Sequence, residues 1–361
     1  SFKADVIITF INGLAVLIGI LLLNGYISRQ YGLEALGEFL LLKNTFSTIA
    51  GSIMLGLNIG LPYYLSKNKN KVYGDSAFTI IVFITIPLSI VVIMSLLYFN
   101  IEGFTTKFFW VYFIYLNSIV IQLLTFGLFR GYFNMVGANI IQLITTALIP
   151  LLVFVITDDI YNAIFIIGLS VSFFSFISFS IRNHGIKLWK ISAFHSKKLL
   201  SYGIWRIPGF LSQFILLAFI PLILANWTNL VTVAYFNSSL SLVKLVLIFI
   251  NPLTVVLLPH LIEKTNKGQF KEISESLNIL FRLSIVTSII ITSFIIAYTL
   301  PLFDLWLGEV EESSTFVLRL TIITLPFYTL SGLARSPINA ASEKGYSSIV
   351  YGIGAITMLL T

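Results

Sequence analysis

The sequence contains no cysteine, and charged residues make up only 10% of its 361 positions. The absence of cysteine excludes disulfides, thiol catalysis and cysteine-based metal sites. The three histidines are not paired at the spacing of helical metal ligands, and no phosphate-binding loop motif indicates ATP hydrolysis. A water-soluble domain carries about 25% charged residues, so this chain has too little charge to cover a water-facing surface.

Long apolar runs, in contrast, recur along the whole sequence, and 57% of the residues are hydrophobic. A helix needs roughly 20 mostly apolar residues to cross a bilayer. The predicted spans lie near residues 6–27, 37–65, 76–99, 107–130, 138–157, 160–181, 200–225, 231–258, 276–302 and 315–338. A further span begins near residue 347 and is cut off at Thr361. We therefore expect an all-α polytopic membrane protein with truncated C-terminal spans.

Lysine and arginine are concentrated in alternate loops between these spans. One set of loops holds Lys67, Lys69, Lys71, Arg130, Arg182, Lys187, Lys190, Lys197, Lys198, Lys264, Lys267, Lys271 and Lys344. The other set holds only Arg29 and Lys107. Because positively charged loops stay in the cytoplasm, the N-terminus is predicted to be cytoplasmic. This placement accounts for the net charge of +7 without nucleic-acid binding.

The two halves of the chain are similar in span order. A shift of 197 residues places Leu61 on Leu258 and Phe39 on Phe236, and the matching spans run in the same direction. This pattern is typical of a parallel repeat about an axis along the membrane normal. The predicted domains are a six-helix N-terminal lobe at 1–181, a basic cytoplasmic linker at 182–199 and a C-terminal lobe at 200–361.

Several spans carry polar residues on one face, at steps of three and four. These stripes are Asp5, Thr9 and Asn12; Asn44, Ser47, Gly51 and Asn58, with Lys43 beside them; Asn139, Gln142 and Thr146; Arg206, Gly209 and Gln213; Asn237, Ser241, Lys244 and Asn251; and Thr321, Thr324, Tyr328, Ser331 and Arg335. Neutral polar side chains often bond neighbouring membrane helices. A charged residue at mid-span costs about 2.5–3.5 kcal/mol, so the charged members indicate a functional cavity.

The charges deep inside the predicted spans are positive, and no carboxylate lies at similar depth. An interior of this sign suits an anionic ligand, since lysine and arginine pair well with phosphate. The predicted substrate-binding residues are Lys244, Arg206, Lys43, Asn237, Ser241 and Gln213. Asp5 is a candidate for ion coupling, and a charge near the start of a helix explains it as well.

No loop or span offers an active site, so neither catalysis nor a cofactor or metal is expected. Prolines lie in or beside most spans, where they mark kinks and broken helices of the kind that moving transporters tolerate. The prolines in question are Pro62, Pro87, Pro150, Pro208, Pro221, Pro252, Pro259, Pro301 and Pro326.

Short motifs in a fixed order resemble those of a known family. Residues 31–39 (YGLEALGEF) and 201–210 (SYGIWRIPGF) are similar to the starts of the second and seventh spans of polysaccharide flippases. Residues 233–236, 257–259 and 302–309 are similar to parts of their eighth and ninth spans. The chain thus resembles the Wzx-type O-antigen and capsule flippases of the multidrug/oligosaccharidyl-lipid/polysaccharide exporter superfamily, which implies a MATE-like fold of two lobes.

The resemblance also implies a function. The substrate would be an undecaprenyl-diphosphate-linked oligosaccharide, moved across the bacterial cytoplasmic (inner) membrane for O-antigen, lipopolysaccharide or capsule biosynthesis. The resemblance also implies an alternating-access mechanism driven by an ion gradient. The implied partners are membrane lipid, a polysaccharide polymerase and chain-length proteins. The alternatives are a multidrug cation exporter or a lipid II flippase of the same superfamily, and, from a different class, a membrane polysaccharide polymerase. A polymerase predicts a large outer loop, whereas the outer segments here are short.

Overall fold

The computed structural model describes residues 2–99, 103–187, 192–204, 207–243, 270–308, 310–341 and 346–360. Within these ranges all regular secondary structure is helical, and no strand occurs. Large apolar side chains such as Ile11, Leu152 and Phe173 are more than half exposed, which provides an apolar surface for lipid tails. The prediction of an all-α polytopic membrane protein is therefore confirmed.

The helices divide into an N-terminal half, α1–α9, and a C-terminal half, α10–α18. The first half contains α1 (Phe2–Tyr31), α2 (Leu33–Ile53), α3 (Leu57–Asn68), α4 (Val72–Ile80), α5 (Ile86–Tyr98), α6 (Phe109–Gly131), α7 (Met135–Leu143), α8 (Ile149–Ile156) and α9 (Ile160–Arg182). The second half contains α10 (Ala193–Ile204), α11 (Ile207–Phe214), α12 (Ile220–Trp227), α13 (Leu230–Val243), α14 (Phe270–Ala297), α15 (Thr299–Leu307), α16 (Thr315–Ile322), α17 (Leu325–Ala341) and α18 (Tyr346–Leu360).

In its described residues, each predicted span coincides with one of these helices or with two or three successive ones. Seven helical stretches in the described residues are long and apolar enough to cross a membrane, and the bent pair α2–α3 makes an eighth. The shorter apolar helix α13 covers the start of predicted span 231–258, whose remainder lies outside the described residues. The helix α10 begins at Ala193, inside the predicted linker at 182–199.

Three short π-helical segments each end directly before an Ile-Pro pair. They are Ile81–Thr85 before Pro87, Ile144–Leu148 before Pro150, and Ile215–Phe219 before Pro221. Proline lacks an N–H, and its ring clashes with the carbonyl group four residues earlier. A wider turn in front of the proline accommodates this clash while the helix continues. These prolines therefore mark widened turns within continuous helical spans.

The break between α2 and α3 is a bend of 53°. Leu55 and Gly56 both have a positive φ there, 52° and 77°, and this conformation is strained for leucine. The break removes the helical partner of the Ile53 carbonyl, and the buried hydroxyl of Thr85 donates to that carbonyl at 3.3 Å. Pro62 lies inside α3, so the bend is not located at the proline.

Substitution of Thr85 by valine tests this support. Thr85→Val preserves the branched shape but leaves the Ile53 carbonyl buried without a donor, so the free energy of unfolding should fall by about 1–3 kcal/mol. The measurement is denaturant unfolding of the purified protein. Ser95→Ala is the matched control, because Ser95 is exposed and donates to a carbonyl of its own helix. Equal losses in the two variants would contradict a specific role for Thr85.

The two halves pack corresponding helices in the same way. In the N-terminal half α1 lies along α7 and α8, with Gly19 against Ala147. In the C-terminal half α11 lies along α18, with Leu216 against Gly354. The first span thus packs against the fifth in the same way as the seventh packs against the eleventh. A parallel repeat would produce this correspondence. The domain boundaries themselves stay predictions.

The halves contact each other toward both ends of the bundle. At the predicted outer end, a Cβ atom added to Gly37 would lie 1.8 Å from the carbonyl oxygen of Leu230. Toward the predicted inner end, a Cβ atom on Gly203 would lie 1.9 Å from the carbonyl oxygen of Leu55. Glycine at such positions lets two helix backbones approach closely.

Candidate anion-binding cavity

The structure describes part of the predicted site. Lys43, Asn237 and Ser241 lie in described helices with their side chains. The other predicted residues fall outside: Lys244 and Arg206 lie outside the described residues, as do the side chains of Gln213 and Asp5. The described part therefore consists of α2, α13 and the helices packed against them.

A polar cavity lies inside the N-terminal half, between α2, α6, α9 and the π-helical segment before α8. Its volume is about 60 Å³, which is room for about four to six water molecules. Its polar lining residues are Lys43, Ser47, Tyr115, Ser118, Gln122, Thr145 and Thr146. Among these described lining residues only Lys43 is charged and none is a carboxylate.

Lys43 reaches this cavity from the middle of α2. Phe39, Lys43 and Ser47 follow one another at steps of four, which places them on one face of the helix, and all three line the cavity. The Lys43 ammonium lies 5.7 Å from the centroid of the Phe39 ring, an arrangement in which the ring face attracts the cation. The sequence prediction of a functional lysine inside this span thus corresponds to a lysine in a polar cavity.

Two further polar side chains in the wall come from α6. Tyr115 and Gln122 are only 6% and 9% exposed, and both line the cavity. Neither the Tyr115 hydroxyl nor the Gln122 amide has a hydrogen-bond partner within the described part of the chain. Sequence reasoning missed both, although Tyr115, Ser118 and Gln122 follow the same spacing of three and four as the stripes that it found.

The polar stripes of the first and fifth spans bind each other. The Asn139 amide donates to the Thr9 hydroxyl oxygen at 3.1 Å, and the Asn12 amide donates to Gln142 Oε1 at 3.5 Å. Both pairs are separated by 130 residues, so α1 and α7 run parallel in constant register. These side chains therefore join the two helices. Of the three residues in the fifth-span stripe, only Thr146 lines the cavity.

A double-mutant cycle measures the strength of this contact. Thr9→Val and Asn139→Leu should show a coupling free energy of about 0.6 kcal/mol in unfolding measurements, the average for hydrogen bonds between membrane helices. The control cycle combines Thr9→Val with Asn117→Leu, since the Asn117 amide bonds elsewhere, to Ser89. That control should show no coupling, and equal coupling in both cycles would contradict a direct Thr9–Asn139 bond.

The neighbouring face of α2, at Asn44, joins the two halves of the protein. The Asn44 amide donates to Asn237 Oδ1 at 2.7 Å, and Asn237 is 1% exposed. The hydroxyl of Ser241 donates to the backbone carbonyl of Asn237 at 2.9 Å. Asn237 therefore contacts the N-terminal half, and Ser241 bonds its own helix. Lys43 and Asn44, adjacent in sequence, serve the cavity and the contact between the halves respectively.

One buried carboxylate lies outside the cavity wall. Asp75, at the start of α4, is 3% exposed. It accepts hydrogen bonds from the Asn183 amide at 2.7 Å and from the Lys187 backbone N–H at 3.3 Å. These two hydrogen bonds fix the segment after α9 against the start of α4. The sequence prediction missed it because Asp75 directly precedes the predicted span 76–99.

Solved structures of MATE transporters share this arrangement of helices. The Vibrio cholerae MATE transporter VcmN in its bent form has a TM-score of 0.60 and 15% identity, over 97% of this chain and 87% of that one. The MATE multidrug transporter DinF-BH has a TM-score of 0.57 and 13% identity, over 99% and 94%. A MATE structure in the bent conformation has a TM-score of 0.57 and 14% identity, over 97% and 84%. No protein-family profile and no curated protein matches the sequence.

The protein therefore has the fold of the MATE transporters, a class of multi-pass helical membrane proteins. At these identities the similarity is one of fold, and it confirms the predicted MATE-like architecture. The closer resemblance to Wzx-type flippases stays a prediction.

Proposed function

We propose that the protein is an exporter of the superfamily that includes MATE transporters and polysaccharide flippases, and that it moves undecaprenyl-diphosphate-linked oligosaccharides across the bacterial cytoplasmic membrane. The observation that carries the proposal is the polar cavity whose one charged lining residue, in the described structure, is Lys43. A cation in a low-dielectric interior attracts an anionic head group and repels a cationic drug. In the proposal Arg206 and Lys244, placed inside spans by the sequence, bind the diphosphate.

The contacts between the halves fit an alternating-access cycle. Gly37 packs on Leu230, and Trp306 donates to the Leu21 carbonyl at 2.8 Å, so the predicted outer side is closed. In the proposed cycle these contacts separate to release the head group outside, while the lipid tail stays in the bilayer. No covalent bond is made or broken. An ion gradient supplies the driving force, and Asp5 remains the candidate coupling residue.

Export of cationic drugs is the second candidate. The similarity to the multidrug transporter DinF-BH favours it, because the two chains share a fold over nearly their whole length. A cation site requires an acidic residue in the cavity, and none lines the cavity in the described part of the chain. The charge of the cavity therefore favours the anionic cargo.

Deletion of the gene tests the proposal in a strain whose surface polysaccharide is known. The expected result is loss of surface polymer, with lipid-linked repeat units stranded on the cytoplasmic face and restored export on complementation. Loss of viability would instead indicate a lipid II flippase. Repeat units that accumulate unpolymerised on the outer face would indicate a polymerase. Normal polymer with increased sensitivity to cationic drugs would contradict the proposal and favour drug export.

A further inference from the structure

Two segments at the predicted inner end of the protein form one basic surface. Residues 63–74 contain three lysines, residues 182–204 contain five lysines and arginines, and neither segment contains an aspartate or a glutamate. The helix α10, in the second segment, packs against α3 and α4, which carry the first. The carboxylate that follows the first segment, Asp75, is buried and accepts a hydrogen bond from Asn183. A surface of this charge suits an anionic partner.

Tyrosine side chains join the two segments. Tyr63 on α3 and Tyr202 on α10 are stacked, with ring centroids 4.7 Å apart and an interplanar angle of 17°. Tyr64 meets Tyr202 edge-on at 5.8 Å and stacks on Tyr73 of α4 at 5.1 Å. Because tyrosine is enriched at the level of the lipid head groups, this cluster places the inner ends of α3 and α10 at that level.

The exposed face of α3 changes from apolar to basic at the same level. Ile59, Tyr63 and Lys67 follow one another at steps of four, so they share one face, and all three are exposed. A helix presents residues in this order where it passes from lipid tails to head groups. The Lys67 ammonium donates to the Tyr63 hydroxyl at 2.7 Å and lies 4.5 Å from the centroid of that ring. This bond engages one of its three N–H groups, and the other two can serve a ligand.

The helices α3 and α10 run in opposite directions. A Cβ atom added to Gly56 would lie 2.4 Å from the Gly203 Cα, and one added to Gly60 would lie 3.7 Å from the Leu199 side chain. Residue numbers therefore rise along α3 as they fall along α10. A residue one turn after the tyrosine stack on α3 and a residue one turn before it on α10 lie on the same, predicted cytoplasmic side.

Lys198 on α10 is the counterpart of Lys67. Phe194, Lys198 and Tyr202 follow one another at steps of four, so Lys198 lies one turn before the stack. The Lys198 ammonium lies 4.2 Å from the centroid of the Phe194 ring, and an aromatic face attracts a cation at this distance. Two lysines, each positioned by an aromatic ring, are thus presented by adjacent helices at the level of the head groups.

We propose that Lys67 and Lys198 bind the phosphate of an anionic phospholipid in the inner leaflet. Basic sites between membrane helices on the cytoplasmic side bind such head groups. The exposed apolar face that leads to Lys67 favours a lipid over a soluble phosphate compound. Lys67 belongs to the N-terminal half and Lys198 to the C-terminal half, so a bound head group adds a contact between the halves beside the Tyr63–Tyr202 stack. The site does not depend on the cargo, since neither lysine is a predicted substrate-binding residue.

The test uses the full chain in a neutral detergent and measures its unfolding temperature as lipid is titrated. Phosphatidylglycerol should raise the unfolding temperature, whereas phosphatidylcholine and soluble glycerol 1-phosphate should not. Lys67→Met and Lys198→Met should each weaken the affinity for phosphatidylglycerol about fivefold. Tyr63→Phe keeps the ring and loses the hydroxyl that positions Lys67, so it should weaken the affinity about threefold.

Lys197→Met is the matched control, because Lys197 is exposed and adjacent in sequence but lies on another face of α10; its affinity should be unchanged. Lys67→Arg retains the charge, should retain binding and guards against a folding defect. Three results would overturn the proposal: equal stabilisation by phosphatidylcholine, an equal loss of affinity in Lys197→Met and Lys198→Met, or equal stabilisation by glycerol 1-phosphate. The second would indicate diffuse surface charge and the third a soluble phosphate ligand.

Discussion

Replacement of Gly37 by valine is expected to abolish export by holding the predicted outer side open. A Cβ atom at this position would lie 1.8 Å from the Leu230 carbonyl oxygen, so α2 and α13 must separate. Overpacking of this kind costs about 1–3 kcal/mol. Because about 1.4 kcal/mol corresponds to a factor of ten, the outward-open population should rise about ten- to a hundredfold.

The absence of cysteine makes this shift measurable. A single thiol introduced as Ser47→Cys lines the cavity, and a membrane-impermeant thiol reagent added outside should label it faster in the Gly37→Val background. Gly51→Ala is the matched control on the same helix, because among the described residues its added Cβ would meet only the Phe210 ring, at 4.0 Å. Unchanged labelling and export in Gly37→Val would show that this contact does not close the outer side.

The second large effect is expected at Trp306 on α15. Its indole N–H donates to the Leu21 carbonyl at 2.8 Å, and its backbone and ring lie against Gly25. The Arg29 guanidinium donates to the neighbouring Leu305 carbonyl. Tryptophans at the centre of contacts commonly contribute about 2 kcal/mol or more. Trp306→Ala should therefore shift the equilibrium toward the outward-open state about thirtyfold.

Trp306→Phe separates the ring from its hydrogen bond. Phenylalanine retains an aromatic ring but lacks the N–H, so the expected loss is about 1 kcal/mol, or about a fivefold shift. Labelling of Ser47→Cys from outside should increase in the order wild type, Trp306→Phe, Trp306→Ala. If both variants label like the wild type, the contact of α1 with α15 is not part of the outer closure.

The positions of the spans could be predicted because a bilayer demands long apolar segments and positively charged inner loops. The break in the second span could not, since Leu55 is a residue type that rarely adopts positive φ and Pro62 nearby suggested a different place. The widened turns before Pro87, Pro150 and Pro221 follow from a local clash that sequence reveals only as a kink.

For the site, periodicity revealed which faces are polar but not what each face contacts. Thr9 and Asn139 belonged to two separate stripes in sequence, and only the parallel register of α1 and α7 shows that they bind each other. Lys43 was placed beside the stripe of Asn44, and spacing did not show that Lys43 lines the cavity while Asn44 bonds to Asn237. Gln122 was overlooked because its helix is rich in aromatic residues, which obscured the polar spacing.

The most direct test of the central claim compares two cargoes in liposomes that contain the purified protein. One is an undecaprenyl-diphosphate-linked oligosaccharide and the other a cationic dye, each followed across the bilayer with protein-free liposomes as control. The account predicts that the protein moves the anionic lipid-linked cargo and not the dye. Transport of the cationic dye without movement of the lipid-linked oligosaccharide would contradict it.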